Sequence, residues 1–224
     1  DAELHVLPQL WFRNIWAWGP ERKRAPSIRM GKAGKGQVCL VADDSEADGL
    51  DNLPFKYSLG QRNLVADGDC EPLFTDNETN VARLYGAAAD DGRRYVKDAF
   101  HRYVVHGEHD AVNHEQAGTK AALHYRRVVP ARGSTVINLR LSPAGVKIVG
   151  DVEKVVTQRR KEADEFYATI HPKGASEDER RVQRQAFAGM MWSKQNYIFD
   201  VDKWLNGDDP NNPPPQSRLN IRNK

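Results

Sequence analysis

DVEKVVTQRRKEADEFYATI, residues 151–170, is the stretch that decides the architecture. Val152, Val155, Val156, Ala163, Phe166, Tyr167 and Ile170 recur at steps of three, four and seven, with charged residues filling most positions between them. That spacing predicts one apolar stripe along an amphipathic helix of about 20 residues, roughly 30 Å long. His171-Pro172 ends it, because proline disfavours helical backbone in the residue before it. Ser176, with Glu179 three residues on, forms a capping box that starts a second helix running to about Lys194. The VQRQAFAGMMWSK segment of this helix combines Ala, Gly and Met with few charges, which predicts burial on more than one side. Two such helices cannot enclose a core together, so this region reads as the opening of a larger helical domain.

Upstream of residue 150 the period is different. Residues 38–42 (VCLVA), 98–105 (DAFHRYVV), 121–129 (AALHYRRVV) and 135–141 (TVINLRL) read as short strands separated by turn chemistry. In the third run Leu123, Tyr125, Arg127 and Val129 alternate with Ala122, His124, Arg126 and Val128. Pro130-Ala131-Arg132-Gly133 has the residues of a tight turn, so the third and fourth runs are expected to pair as a hairpin. Strands in series joined by loops point to an antiparallel β-sandwich. Trp11, Trp16 and Trp18 crowd the opening segment LWFRNIWAW. They read as a strand packed between sheets or at a domain interface, or else as a flat aromatic surface that stacks sugar rings.

Composition excludes several classes. With 39% apolar and 29% charged residues the chain is neither a disordered nor a membrane sequence, and no run approaches the roughly 18 apolar residues of a membrane span. The net charge of +2 supplies no bulk attraction to nucleic acid, so neither nucleic acid nor membrane is an expected partner. Two cysteines, Cys39 and Cys70, do not make a disulfide framework; a bridge is possible, but a reducing, cytoplasmic setting is the expectation. The chain opens at Asp1 and runs almost at once into Leu10–Trp18, so both termini read as cuts.

Local constellations suggest little chemistry of their own. His101, His106, His109 and His114, with Glu108 and Asp110, have ligand types that suit zinc, but no two histidines stand four apart as in the zinc-protease motif, and a surface loop is the expectation. Asp76, Glu78 and Asp98 offer carboxylates for acid–base work; Asp76-Asn77 reads instead as cap or turn chemistry before a helix at 79–85, with Glu78 in its first turn. Ser58 and Ser193 lack a nucleophile-elbow context. Gly31, Gly34 and Gly36 do not meet the phosphate-loop pattern and read as a hairpin tip. No cofactor motif is found. The stretch with site character is Trp192 to Trp204, where Trp192, Tyr197 and Trp204 supply flat rings and Gln195 and Asp200 supply hydrogen-bonding groups, a combination suited to a sugar.

Six segments in order, LPQLWFRNIWAWG (7–19), LFTDNETNVARLYG (73–86), YVKDAFHRYVVHGEHDAVN (95–113), GTKAALHY (118–125), RRKEADEFYATI (159–170) and QAFAGMMWSKQNYIFDVDKWLNGD (185–208), resemble glycoside hydrolase family sixty-three and its bacterial relatives, the mannosyl-oligosaccharide-glucosidase-like and mannosylglycerate-hydrolase-like proteins. The resemblance implies a β-sandwich over residues 1–145, a linker helix over 146–174 and, over 175–224, the start of an (α/α)6 barrel. It also implies an inverting glycosidase of α-glucosyl or α-mannosyl linkages that takes a carbohydrate substrate. Neither catalytic carboxylate motif has a match in this chain, so general acid and base are expected beyond Lys224 and the fragment alone is expected to be inactive. The alternative is a non-catalytic carbohydrate-binding or adaptor module.

Overall fold

The computed structural model describes residues 1–17, 21–49, 57–146, 151–194, 199–207 and 213–220. The chain divides into two units, residues 1–149 and 150–224.

The first unit is built on two antiparallel sheets. One has the strand β8 (Lys120–Val129) at its centre. Along one edge of β8 run β1 (Ala2–Val6) and β2 (Gln9–Trp11), which keep a single register: Ala2 faces Val129 and Gln9 faces Ala122. Pro8 interrupts the ladder only as a donor, since its carbonyl still accepts from the Leu123 amide at 3.0 Å. Along the other edge lies β6 (Glu71–Thr75), with Glu71 opposite His124. The second sheet has the order β7 (Ala117–Gly118), β3 (Ser27–Met30), β4 (Gln37–Asp43), β5 (Arg62–Asp67) and β9 (Leu139–Pro143).

Period-two alternation turns Ile28, Val38, Leu40, Ala42, Leu64 and Ala66 of the second sheet toward Phe74, Ala121, Leu123 and Tyr125 of the first, and these ten side chains form one buried cluster. The chain crosses between sheets at Thr119. A Cβ on Gly118 would meet the Thr75 carbonyl oxygen at 2.3 Å, so the crossing requires glycine. Tyr125 ties the layers with its hydroxyl, which donates to the Asp67 carbonyl at 2.7 Å; burial above all, and then Cys70 beside it, pushes this phenol well above its usual range.

Two expectations are corrected here. Residues 98–105 are not a strand: they contribute to the helix α2, Ala99–His106, which follows the short α1 (Val81–Tyr85). Val104 and Val105 favour a strand locally, but Ala99, Phe100 and Tyr103 fall on one helical face and pack with Leu73, Ala111, Val112 and Ala122 over the outer side of the first sheet. Gly107 closes the helix in the left-handed conformation (φ 67°), its amide donating back to Arg102 and Tyr103. Nor do 121–129 and 135–141 form a hairpin. β1 and β2 take one edge of β8 and β6 takes the other from Lys120 to His124, while the turn at Pro130–Gly133 sends the chain to the other sheet, where β9 pairs with β5. The Gly31–Gly36 stretch does join two paired strands, β3 and β4. Cys39, buried in β4, and Cys70 are both free thiols.

The second unit holds α3 (Val152–Ile170), α4 (Glu177–Ser193), α5 (Val201–Asn206) and a short 3-10 turn at Gln216–Leu219. The capping box of α4 is present in full: Ser176 Oγ accepts from the Glu179 amide at 3.3 Å, and Glu179 returns a carboxylate oxygen to the Ser176 amide at 2.8 Å. The helix expected to be a linker belongs with α4: Asp164 pairs with Arg184, whose guanidinium also lies over the Tyr167 ring at 4.7 Å, and His171 Nδ1 meets Gln183 at 2.6 Å. The burial expected of α4 is absent among the described residues. Neither long helix has a buried residue, and Met190, Met191 and Trp192 are 69%, 66% and 87% exposed. One partner helix covers too narrow a strip to bury a broad apolar surface.

Candidate functional site

The residues singled out in the sequence lie on the second unit. Trp192 sits exposed in the last turn of α4. Gln195 and Tyr197 fall outside the described residues. Asp200 is the N-cap of α5, accepting from the Asp202 and Lys203 amides at 3.1 and 3.2 Å, so a cap role that its sequence context did not disclose occupies one carboxylate oxygen. Trp204, in the same helix, lies beneath the Arg218 guanidinium at 4.3 Å and beside the Phe199 ring at 5.8 Å. The structure thus brings Asp200 and Trp204 onto one short helix, with Trp192 on a different one.

The carboxylates of the first unit separate into different roles. Glu78 does not sit in the first turn of α1, which is capped by Asn80. It is 2% exposed and accepts four hydrogen bonds: Trp16 Nε1 at 2.8 Å, Arg22 at 2.6 Å, Asn14 Nδ2 at 3.0 Å, and Arg93. A carboxylate with both oxygens doubly occupied is a structural anchor rather than an acid or base. Asp76 accepts from the Thr119 amide at 3.1 Å, and burial outweighs that bond to hold its carboxyl above the usual range. Asp98 is taken by Arg83 at 2.9 Å and by Asn80. The histidines of 101–114 spread out: His101 and His106 meet edge-on, His109 packs edge-on against Tyr103, and His114 lies 3.8 Å from Asp110. Among the described residues no three metal-ligating side chains converge.

A polar cleft that the sequence did not disclose lies on the outer side of the first sheet. The alternation of β8 that turns Leu123 and Tyr125 inward turns Ala122, His124 and Arg126 outward. Helix α2 covers the apolar end of that face, around Leu73 and Ala122, and leaves the polar end lining an open cavity of about 600 Å³. There His5 Nδ1 approaches His124 Nε2 at 2.8 Å, with the rings stacked at 5.0 Å between centroids. His5 Nε2 meets Glu3 at 3.1 Å, and His124 Nδ1 faces Glu71 at a longer 3.5 Å. Tyr103, from α2, donates to the other oxygen of Glu71.

Counting protons shows what this row can do. The two histidine–carboxylate contacts and the histidine–histidine contact need three ring protons, whereas two neutral imidazoles supply one each. Two neutral imidazoles therefore satisfy two of the three contacts. Its ends are fixed. The Arg126 hydrogen bond holds Glu3 below the usual carboxylate range. Burial first, and the bond to Glu71 second, push the Tyr103 hydroxyl up to about 12, so it remains a donor at neutral pH. The face assignment of His124 was legible in the alternation of β8. Its partner was not, because His5 lies 119 positions away.

The whole chain is 35% identical, over 258 aligned positions, to the uncharacterized protein YMR196W of Saccharomyces cerevisiae, and spans 22% of that protein's length. No protein-family profile and no solved structure matches the chain. No helix among the described residues is long and apolar enough to cross a membrane.

Proposed function

We propose that residues 1–224 are part of a longer inverting glycoside hydrolase acting on α-glucosyl or α-mannosyl linkages, with the first unit as its β-sandwich and α3 to α5 as the opening of an (α/α)6 barrel. The observation that carries this reading is the second unit: two long helices without a buried residue, one ending in exposed Met190, Met191 and Trp192, directly after a β-rich unit that has a finished core. Such helices call for further helices to cover them, and the Saccharomyces relative is several times longer than this chain. In an inverting enzyme one carboxylic acid protonates the leaving oxygen while a second, roughly 6.5–9.5 Å away, activates water on the opposite face. Neither role is assigned to the carboxylates described above: Glu78 and Asp98 are taken by arginines, Asp200 caps α5, Asp76 accepts from Thr119 and Glu71 from Tyr103. Trp192, Gln195, Tyr197, Asp200 and Trp204 would border the sugar, with the rings beneath it and Gln195 and Asp200 toward its hydroxyls.

The test is turnover by the longer protein on α-glucosides and α-mannosides, with the anomer of the released sugar followed by proton NMR. Inverted product, together with no activity from the 224-residue chain and a ten- to hundredfold lower kcat/KM for Gln195→Ala or Tyr197→Ala, is expected, the last being about 1.4–2.7 kcal/mol of transition-state binding. Turnover by the 224-residue chain itself, or a retained anomer, would refute the reading. A second reading, a non-catalytic carbohydrate-binding or adaptor module, draws on the exposure of Trp11 on the first unit.

A further inference from the structure

The tryptophans of the opening segment have different environments. Trp16 is 1% exposed and hydrogen-bonded to Glu78; Trp18 lies outside the described residues; Trp11, at the end of β2, is 55% exposed. Trp11 borders a cavity of about 290 Å³ that is also lined by Tyr57 and Leu59, 60% and 44% exposed, by Ile15 and Pro26, and by Asp44 and Asp48. We infer that this cavity is a subsite for a single neutral hexopyranose, held against Trp11 and Tyr57 and hydrogen-bonded through its hydroxyls to Asp44 and Asp48.

Three observations support that occupant. Both aromatic side chains lie more than half exposed on the rim of one cavity, which suits a ligand with a flat C–H face. The volume lies at the lower end of the roughly 300–1,000 Å³ of small-molecule sites, enough for one ring and too small for an extended chain. The walls are also held in place before any ligand arrives. Asp44 accepts from Ser58 Oγ at 2.7 Å and from the Leu59 and Gly60 amides at 2.9 and 2.7 Å, fixing the segment that follows Tyr57. Asp48 accepts from the Arg24 amide at 2.6 Å, and that bond holds its carboxyl below the usual range. Trp11 is held by the ladder opposite Lys120. Each carboxylate keeps lone pairs for hydroxyl donors, and walls already ordered lower the entropic cost of binding.

This inference concerns binding by the first unit and does not depend on catalysis by the longer protein, so either can fail alone. The 224-residue chain is titrated with maltose and with methyl α-mannoside, and saturation-transfer NMR reads contact with the ring C–H protons. Transfer that saturates at millimolar sugar is expected, weakened at least about tenfold in Trp11→Ala and in Tyr57→Ala and unchanged in Tyr85→Ala, which removes an exposed aromatic remote in sequence from this cavity. Trp11→Phe keeps a flat ring and is expected to retain partial binding. Absence of transfer from both sugars, or equal transfer in all four variants, would overturn the inference; the second result would mean that a protein segment or nothing specific occupies the cavity.

Discussion

The two units put their apolar residues to opposite uses. In the first, strands from two sheets converge on ten buried side chains, and even the outer side of one sheet is capped by α2. In the second, α3 and α4 meet through an ion pair, a hydrogen bond and a guanidinium over a ring, and their apolar residues stay at the surface. The contrast shows that amphipathic pattern specifies which face seeks cover, while burial depends on whether enough elements are present to supply it.

The largest effect that should separate the units is in hydrogen exchange. Amides of β4 and β8 should open only with global unfolding, whereas those of α4 should open locally, with protection lower by roughly a thousandfold. Equal protection in both would break the comparison. Next comes the response to truncation. Leu40→Ala, at a site with no exposure, should cost about 2–5 kcal/mol in denaturant unfolding of the first unit. Met190→Ala, at a site 69% exposed, should stay within about 0.5 kcal/mol. A smaller loss, about 2 kcal/mol, is expected for Glu78→Gln, which leaves Arg22 and Arg93 facing a neutral group; Arg22 is half exposed, and water there limits the penalty. A change below about 0.5 kcal/mol would show that the anchor contributes little.

The smallest expected effect concerns the cap of α4. Ser176→Ala should reduce helicity of the second unit at a cost of about 1 kcal/mol, read by circular dichroism. The Ser176 amide holds the Glu179 carboxyl below the ordinary glutamate range. A depressed carboxylate contributes stability that is present above that range and is lost as pH falls through the lower folded value. Helicity of α4 should therefore drop on acidification below about pH 4.5 in the wild type and respond less in Glu179→Gln, which has no carboxylate to protonate.

What the sequence revealed was local. The capping box, the ends of α3 and the hairpin tip at Gly31–Gly36 depend on residues a few positions apart, and their chemistry acts over the same short range. α2 was misread because Val104-Val105 favours a strand, although Phe100 and Tyr103 already stood at helical spacing. The pairing of β8 was illegible: its turn chemistry favoured β9, but its partners β1, β2 and β6 are distant in sequence and β9 pairs with β5 instead. The same holds for the His5–His124 row and for the Glu78 anchor, whose partner Trp16 is 62 positions away. Of the candidate sugar-binding residues, the aromatic character was legible. The capping role of Asp200 required knowing where α5 begins.

The pairing of Ala2 with Val129 also has a consequence in time. Strand β1 leaves a ribosome before the other strands of its sheet, yet the strand it pairs with ends only at residue 129. At about 5–20 residues per second, the unpaired edges of β1 and β2 persist for roughly 6–25 s of synthesis before the first sheet can close. During that interval the protein depends on whatever shields a nascent strand from neighbouring chains. Slower translation after residue 70 would lengthen its exposure to misassembly, whereas the second sheet can already pair β3, β4 and β5.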